Sequence, residues 1–208
     1  FFFNKLTNIL EVTGNVKYSD ISNDIIITSD KAIYLKNEEK VFTTGNSKAV
    51  NENNTITALS LEYDKINNIF KAKKNAVAND FEKETTIYAD EITYLKNEEK
   101  VFTTGNSKAV NENNTITALS LEYDKINNIF KAKKNAVAND FEKETTIYAD
   151  EITYLKNEEK VFTTGNSKAL IENKYKFDSE NVSYFRNSEN LFSQKSSSVE
   201  DDNGNIYK

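Results

Sequence analysis

The chain is rich in carboxylates, hydroxyls and ammonium groups, but it has no His, Cys, Met, Trp or Pro. Without imidazole there is no side chain that titrates near neutral pH as a general base, and without thiol no strong nucleophile or soft metal ligand. Ser and Thr are plentiful, yet nothing is present to activate them. No enzyme activity and no cofactor are therefore expected. Three polar stretches remain to be weighed as metal ligands. Residues 79–84, with Asp80, Glu82 and Glu84, and the pair Glu98 and Glu99 alternate with Lys and read as solvated turns. The run Asp201, Asp202, Asn203, Gly204, Asn205 has a faint calcium-loop look, but its glycine is misplaced and no closing Glu follows, so it reads as a hairpin turn.

Charge excludes a further class. Lys and Arg number 27 against 33 Asp and Glu, net −6, with the signs interspersed, so no basic face for nucleic acid is visible. What remains is apolar surface, much of it from 13 Phe and 11 Tyr. These residues follow period 2 and are accompanied by Ile, Val and Thr, the signature of strands.

The alternation shifts phase once inside each strand. Ile56, Ala58 and Leu61 share one face across such a shift, as do Ile87, Ala89 and Ile92. On the returning strands Phe70 and Ala72 precede a Lys-Asn pair, and Phe102 and Thr104 precede Gly105 and Asn106. A strand that keeps one side inward across a phase shift must bend or bulge there, and Gly and Asn tolerate the positive φ that a corner requires. Two straight arms joined at a corner are predicted for each strand. The inward slots between the arms are the one candidate site, and many are small. Either they are an ordinary core whose small residues let the arms close tightly, or they leave a trough.

Residues 34–109 recur without a change as 94–169, a period of 94 − 34 = 60. The same slots therefore return as Ile116, Ala118, Leu121, Phe130, Ile147, Ala149, Ile152 and Phe162. Identity this complete marks a recent or engineered duplication. The period divides again into half-units of 30 residues, 55–84 and 85–114. The expected organisation is one elongated array of stacked units: a terminal unit 1–33, repeats 34–93 and 94–153, a partial third copy 154–169 and a diverged unit 170–208. With no Met, Phe1 is not a natural translation start, which implies a processed product or a cut fragment. The opening FFFNKL is too short for a signal or membrane segment.

The strings LEVTGNVKY, TIYADEITYLKNEEKVFTTGNSKA and TITALSLEYD resemble the recurrent rhythm of the OstA-like proteins of lipopolysaccharide transport, which comprise LptA, LptC and the N-terminal periplasmic domain of LptD. Repetition over almost the whole chain carries the resemblance. The closing KSSSVEDDNGNIYK is most similar to the part of the LptD N-terminal domain that leads toward its membrane barrel. The resemblance implies an open β-jellyroll, or β-taco, whose trough holds the acyl chains of lipid A. It also implies a periplasmic location, and head-to-tail joining through edge strands to LptA, LptC, LptD or a second copy. The natural parent would be attached to an outer-membrane barrel absent here.

The reading that follows is a non-enzymatic lipopolysaccharide conduit lined by the inward slots. The competing class is a structural β-array, such as an adhesin stalk, with a closed core.

Overall fold

Alternating β-branched and aromatic residues give strands wherever they occur in this chain. The computed structural model describes every residue, Phe1–Lys208; its elements are antiparallel strands joined by turns and short loops, with three one-turn 3-10 segments among the connections. Contacts group them into two compact units, Phe1–Gly105 and Asn106–Lys208.

In the first unit, Phe2–Asn4, Ile9–Asp20, Ile25–Leu35, Lys40–Val50, Asn54–Asp64, Ile69–Asp80, Thr85–Leu95 and Lys100–Thr104 follow in chain order. Each pairs antiparallel with the next. Register slips between Thr13 and Val16, between Thr44 and Ser47 and between Lys73 and Ala76, and the long strands bend there. At each slip two successive residues are left-handed: Gly14 and Asn15 (φ 80° and 48°), Gly45 and Asn46 (78° and 45°), Lys74 and Asn75 (66° and 54°). A bulge of this kind adds a residue to one strand and kinks it, so each strand becomes two arms. The first arms end at the turns 20–25, 50–54 and 80–85, and the second arms at 4–9, 35–40, 64–69 and 95–100. The Tyr18 ring on a first arm lies 6.1 Å from that of Tyr34 and 6.4 Å from that of Tyr63, both on second arms. The arms thus face each other, with the core between them.

The second unit repeats the design. Ser107–Asn111, Asn114–Ala118, Ser120–Asp124, Ile129–Asp140, Thr145–Leu155 and Lys160–Ile171 carry slips between Lys133 and Ala136 and between Ala149 and Glu151. Its last strands are short: Tyr175–Glu180, Ser183–Phe185, Asn190–Phe192, Ser198–Glu200 and Ile206–Tyr207.

The returning strands correct part of the expected lining. Val101 and Thr103 stand opposite Tyr94 and Ile92 and are buried, whereas Phe102 is only half-buried opposite Thr93 and Thr104 is exposed opposite Glu91. In the next copy Val161 and Thr163 face inward, and Phe162 lies on the outside with its ring edge toward Phe185, centroids 6.4 Å apart. Register is set from the corner. Val101 stands four residues before Gly105, as Phe70 stands four before Lys74. Phe102, Thr104 and Phe162 are one residue out of phase with it, and a one-residue shift reverses the face.

Candidate functional site between the facing arms

The other proposed slot residues do meet between the arms. Toward the tips of the first arms of unit 1, Ile56 and Ile87 flank Ala78, and deeper in, Ala89 faces Ala76. On the second arms Leu61 and Ile92 flank Ala72. Ile56, Leu61, Phe70, Ala72, Ile87, Ala89 and Ile92 are buried, and Ala58 is half-buried at the corner. In unit 2 the same arrangement buries Ile116, Leu121, Phe130, Ile147, Ala149 and Ile152, again with the corner Ala118 half-buried. Within each wall large side chains alternate with alanine across neighbouring strands.

Nearer the tips of the second arms the lining is aromatic. Tyr63 stacks on Phe70 with centroids 4.5 Å apart, and Phe70 on Tyr94 at 6.3 Å. Tyr123, Phe130 and Tyr154 repeat the ladder at 4.0 and 6.5 Å. Offset stacking of this kind adds about 0.5–1.5 kcal/mol per pair beyond area burial. The hydroxyls end in polar surroundings. Burial first, then its neighbours Asp20, Tyr34 and Glu39, pushes the Tyr18 phenol up to about 12. Burial also raises the phenols of Tyr94 and Tyr154, assisted by Glu99 and Glu159 respectively.

Polar groups close the edge opposite the corners. In unit 1 the Tyr63 hydroxyl donates to Asp20 Oδ2 at 3.0 Å, and Asn23 Nδ2 donates to the same carboxylate at 2.9 Å. Asn68 Nδ2 reaches Asn23 Oδ1 at 3.3 Å and Lys96 Nζ the Asn23 carbonyl at 2.6 Å. Burial alone would raise the Asp20 pKa. The bonds from Ser22, Asn23 and Tyr63, with the charge of Lys65, outweigh it and lower the value from 3.8 to about 2.

In unit 2 the closure is ionic. Arg186 on a second arm spans to the facing lip, with Nε 2.6 Å from Asp140 and Nη2 2.5 Å from Glu142, while Nη1 is 3.1 Å from Glu159 on its own lip. Lys143 meets Glu189 at 2.5 Å. Beneath Arg186 lies a cavity of about 30 Å³ lined from both arms by Ile116, Ala138, Ile147, Tyr154, Val161 and Tyr184. That volume holds a water or two.

These closing residues were not singled out from the sequence, although a signal exists. Each outbound strand ends Tyr-x-Lys or Tyr-x-Arg: Tyr34 and Lys36, Tyr63 and Lys65, Tyr94 and Lys96, Tyr123 and Lys125, Tyr154 and Lys156, Tyr184 and Arg186. The acidic turns divide. Asp80 is buried at its strand end, unlike the exposed Glu82 and Glu84. Asp201 spends both oxygens on its own hairpin, accepting from the Asn203 and Asn205 amides at 3.0 and 2.8 Å and from Asn205 Nδ2 at 2.9 Å.

No protein-family model matches the chain, and no curated protein matches it. Among solved structures it is similar to LptH from Pseudomonas aeruginosa, described as the LptA homologous periplasmic component of the conserved lipopolysaccharide transport device. The TM-score is 0.49 at 19% identity, over 52% of this chain and 81% of that one.

Proposed function

We propose that the chain is a non-enzymatic conduit that shields the acyl chains of a lipopolysaccharide between its arms. The observation that carries this reading is the lining. The facing walls of each unit are lined mainly by Ile, Leu, Val, Ala and aromatic side chains, with buried Ser and Thr among them near the corners, and they are joined covalently at one edge but by side chains alone at the other. Such walls can part along the polar edge and admit a chain without breaking the sheet. Each methylene taken from water then contributes about 0.8 kcal/mol. The OstA-like rhythm of the strands supports a lipid A ligand and a periplasmic setting, with a parent at the outer membrane.

It also supports end-to-end joining to LptA-, LptC- or LptD-like domains or to a second copy. Phe2–Asn4 covers only Ile9, Leu10 and Glu11 of its neighbour, so the rest of Ile9–Asp20 offers unpaired backbone groups to an incoming strand.

Ala89 and Ala149 stand at equivalent buried points near the corner, paired across the strands with Ala76 and Ala136. Replacing both by Phe fills the space at a cost of about 1–3 kcal/mol each while the chain stays folded. Binding of a fluorescent fatty acid, followed by titration, is expected to fall at least tenfold. A double variant that binds as well as the parent leaves a closed structural array as the account of these walls.

A further inference from the structure

We propose that Arg186 and the acidic turn 140–144 form a gate whose ion pairs hold the second unit shut and whose release admits the chain. Three observations meet here. The first is position. Arg186 belongs to one lip and reaches Asp140 and Glu142 on the other, and the cavity directly beneath is walled by both arms. Nothing covalent crosses the edge at this point.

The second is charge. The turn from Asp140 to Glu144 carries Asp140, Glu142 and Glu144 against a single Lys143, so one lip is acidic by composition. The facing lip supplies the compensating cation, with 19% of the Arg186 side chain exposed. Removing that cation leaves Asp140, itself buried, facing Glu142 and Glu159 with no partner of opposite sign among the groups that Arg186 touches. Like charges at a partly buried edge repel, and hydration of the freed carboxylates favours parting.

The third is the choice of side chain. The corresponding places at the other second-arm tips hold lysine, at 36, 65, 96, 125 and 156. A planar guanidinium bonds three carboxylates at once, which an ammonium on a flexible stem does poorly. Arg186 does not serve as a headgroup receptor in this state, because its three nitrogens are all committed to carboxylates. Its work is to hold the lips together. At the corresponding edge of the first unit Tyr63 and Asn23 are hydrogen-bonded to Asp20, and Lys65 makes the looser version of the same ion pairs, 4.0 Å from Asp20 and 3.4 Å from Glu39. Both edges thus set a cation against a facing carboxylate, and the hold is tighter in the second unit, 2.6 Å against 4.0 Å.

The ligand half of this proposal rests on the conduit reading; the gate itself does not, and the experiment separates them. The chain has no cysteine, so Phe141→Cys and Ser188→Cys place one spin label on each lip, both at exposed positions. Pulsed electron paramagnetic resonance on the full chain is expected to give a narrow distance distribution in the parent. Arg186→Gln and Asp140→Asn are expected to shift it to longer distance and broaden it, and Arg186→Lys to fall between. Glu142→Gln, at a side chain 54% exposed, serves as a variant that keeps the fold should either of the others unfold, with a smaller shift of the same sign. Stopped-flow association of a dansyl fatty acid is expected to speed up severalfold in Arg186→Gln. Unchanged distances in the folded variants overturn the gate, whatever the probe does. Distances that open while no variant takes up the probe uphold the gate and remove the conduit reading instead.

Discussion

Asp20 combines burial with a complete set of donors, and its stability contribution can be read from that balance. Its pKa in the folded chain, about 2, lies below the ordinary 3.8, so the interaction is fully present above about pH 4 and is lost as pH falls toward 2. A shift of this size on a carboxylate only 2% exposed corresponds to about 2 kcal/mol. Asp20→Asn is expected to be less stable than the parent at pH 6 by that amount, with the difference shrinking as the pH approaches 2, measured by urea denaturation followed by circular dichroism. A difference that stays constant from pH 6 to pH 2 contradicts the assignment. Little of this was legible beforehand. Asp20 reads as a turn residue, and its bond to Tyr63 spans a sequence separation of 43 that no local pattern reveals.

At the scale of the strand the corner was legible, down to the Gly-Asn and Lys-Asn pairs that make it, because a phase shift in a period-2 pattern has few other physical causes. The face of the returning arm was read one residue out at Phe102, Thr104 and Phe162. Aligning Phe102 with Phe70 by residue type puts it inward, whereas the count back from the corner places Val101 and Val161 inside. Glycine at the corner needs more than its dihedral to explain it, since Lys134 adopts φ 67° at the same point. At Gly165 an added methyl meets the Asp150 carboxylate, while at Gly14, with the same φ of 80°, it meets nothing within 4 Å. Gly14→Ala is therefore expected to carry only the left-handed backbone cost, about 1 kcal/mol, and Gly165→Ala more, toward about 3 kcal/mol. Asp150→Ala in the Gly165→Ala background should recover the excess, read by urea denaturation. Equal losses at the two glycines would show that the carboxylate does not decide the site.

For the whole molecule, the repeat was plain from sequence and the state of its interior was not. Identical slots in identical copies are compatible with walls that touch or walls that part, because the choice depends on the polar edge and on ligand. The repeat itself makes a clean test. Deleting 34–93 leaves a chain identical to 1–109 followed by 170–208, because 94–169 repeats 34–109. The product retains the whole sequence of the first unit, Phe1–Gly105, and is expected to unfold cooperatively on heating. A product without a cooperative transition would mean that the removed copy is indispensable to the fold. The central claim concerns the interior, and a photoreactive phenylalanine analogue tests it most directly. Placed at Ile147 it faces the opposite arm, and at Phe162, only half-buried, it lies on the outer face. Irradiation with lipopolysaccharide is expected to give adducts at 147 and few at 162. Adducts at 162 equal to or above those at 147, or none at 147, would contradict a lipid path between the arms.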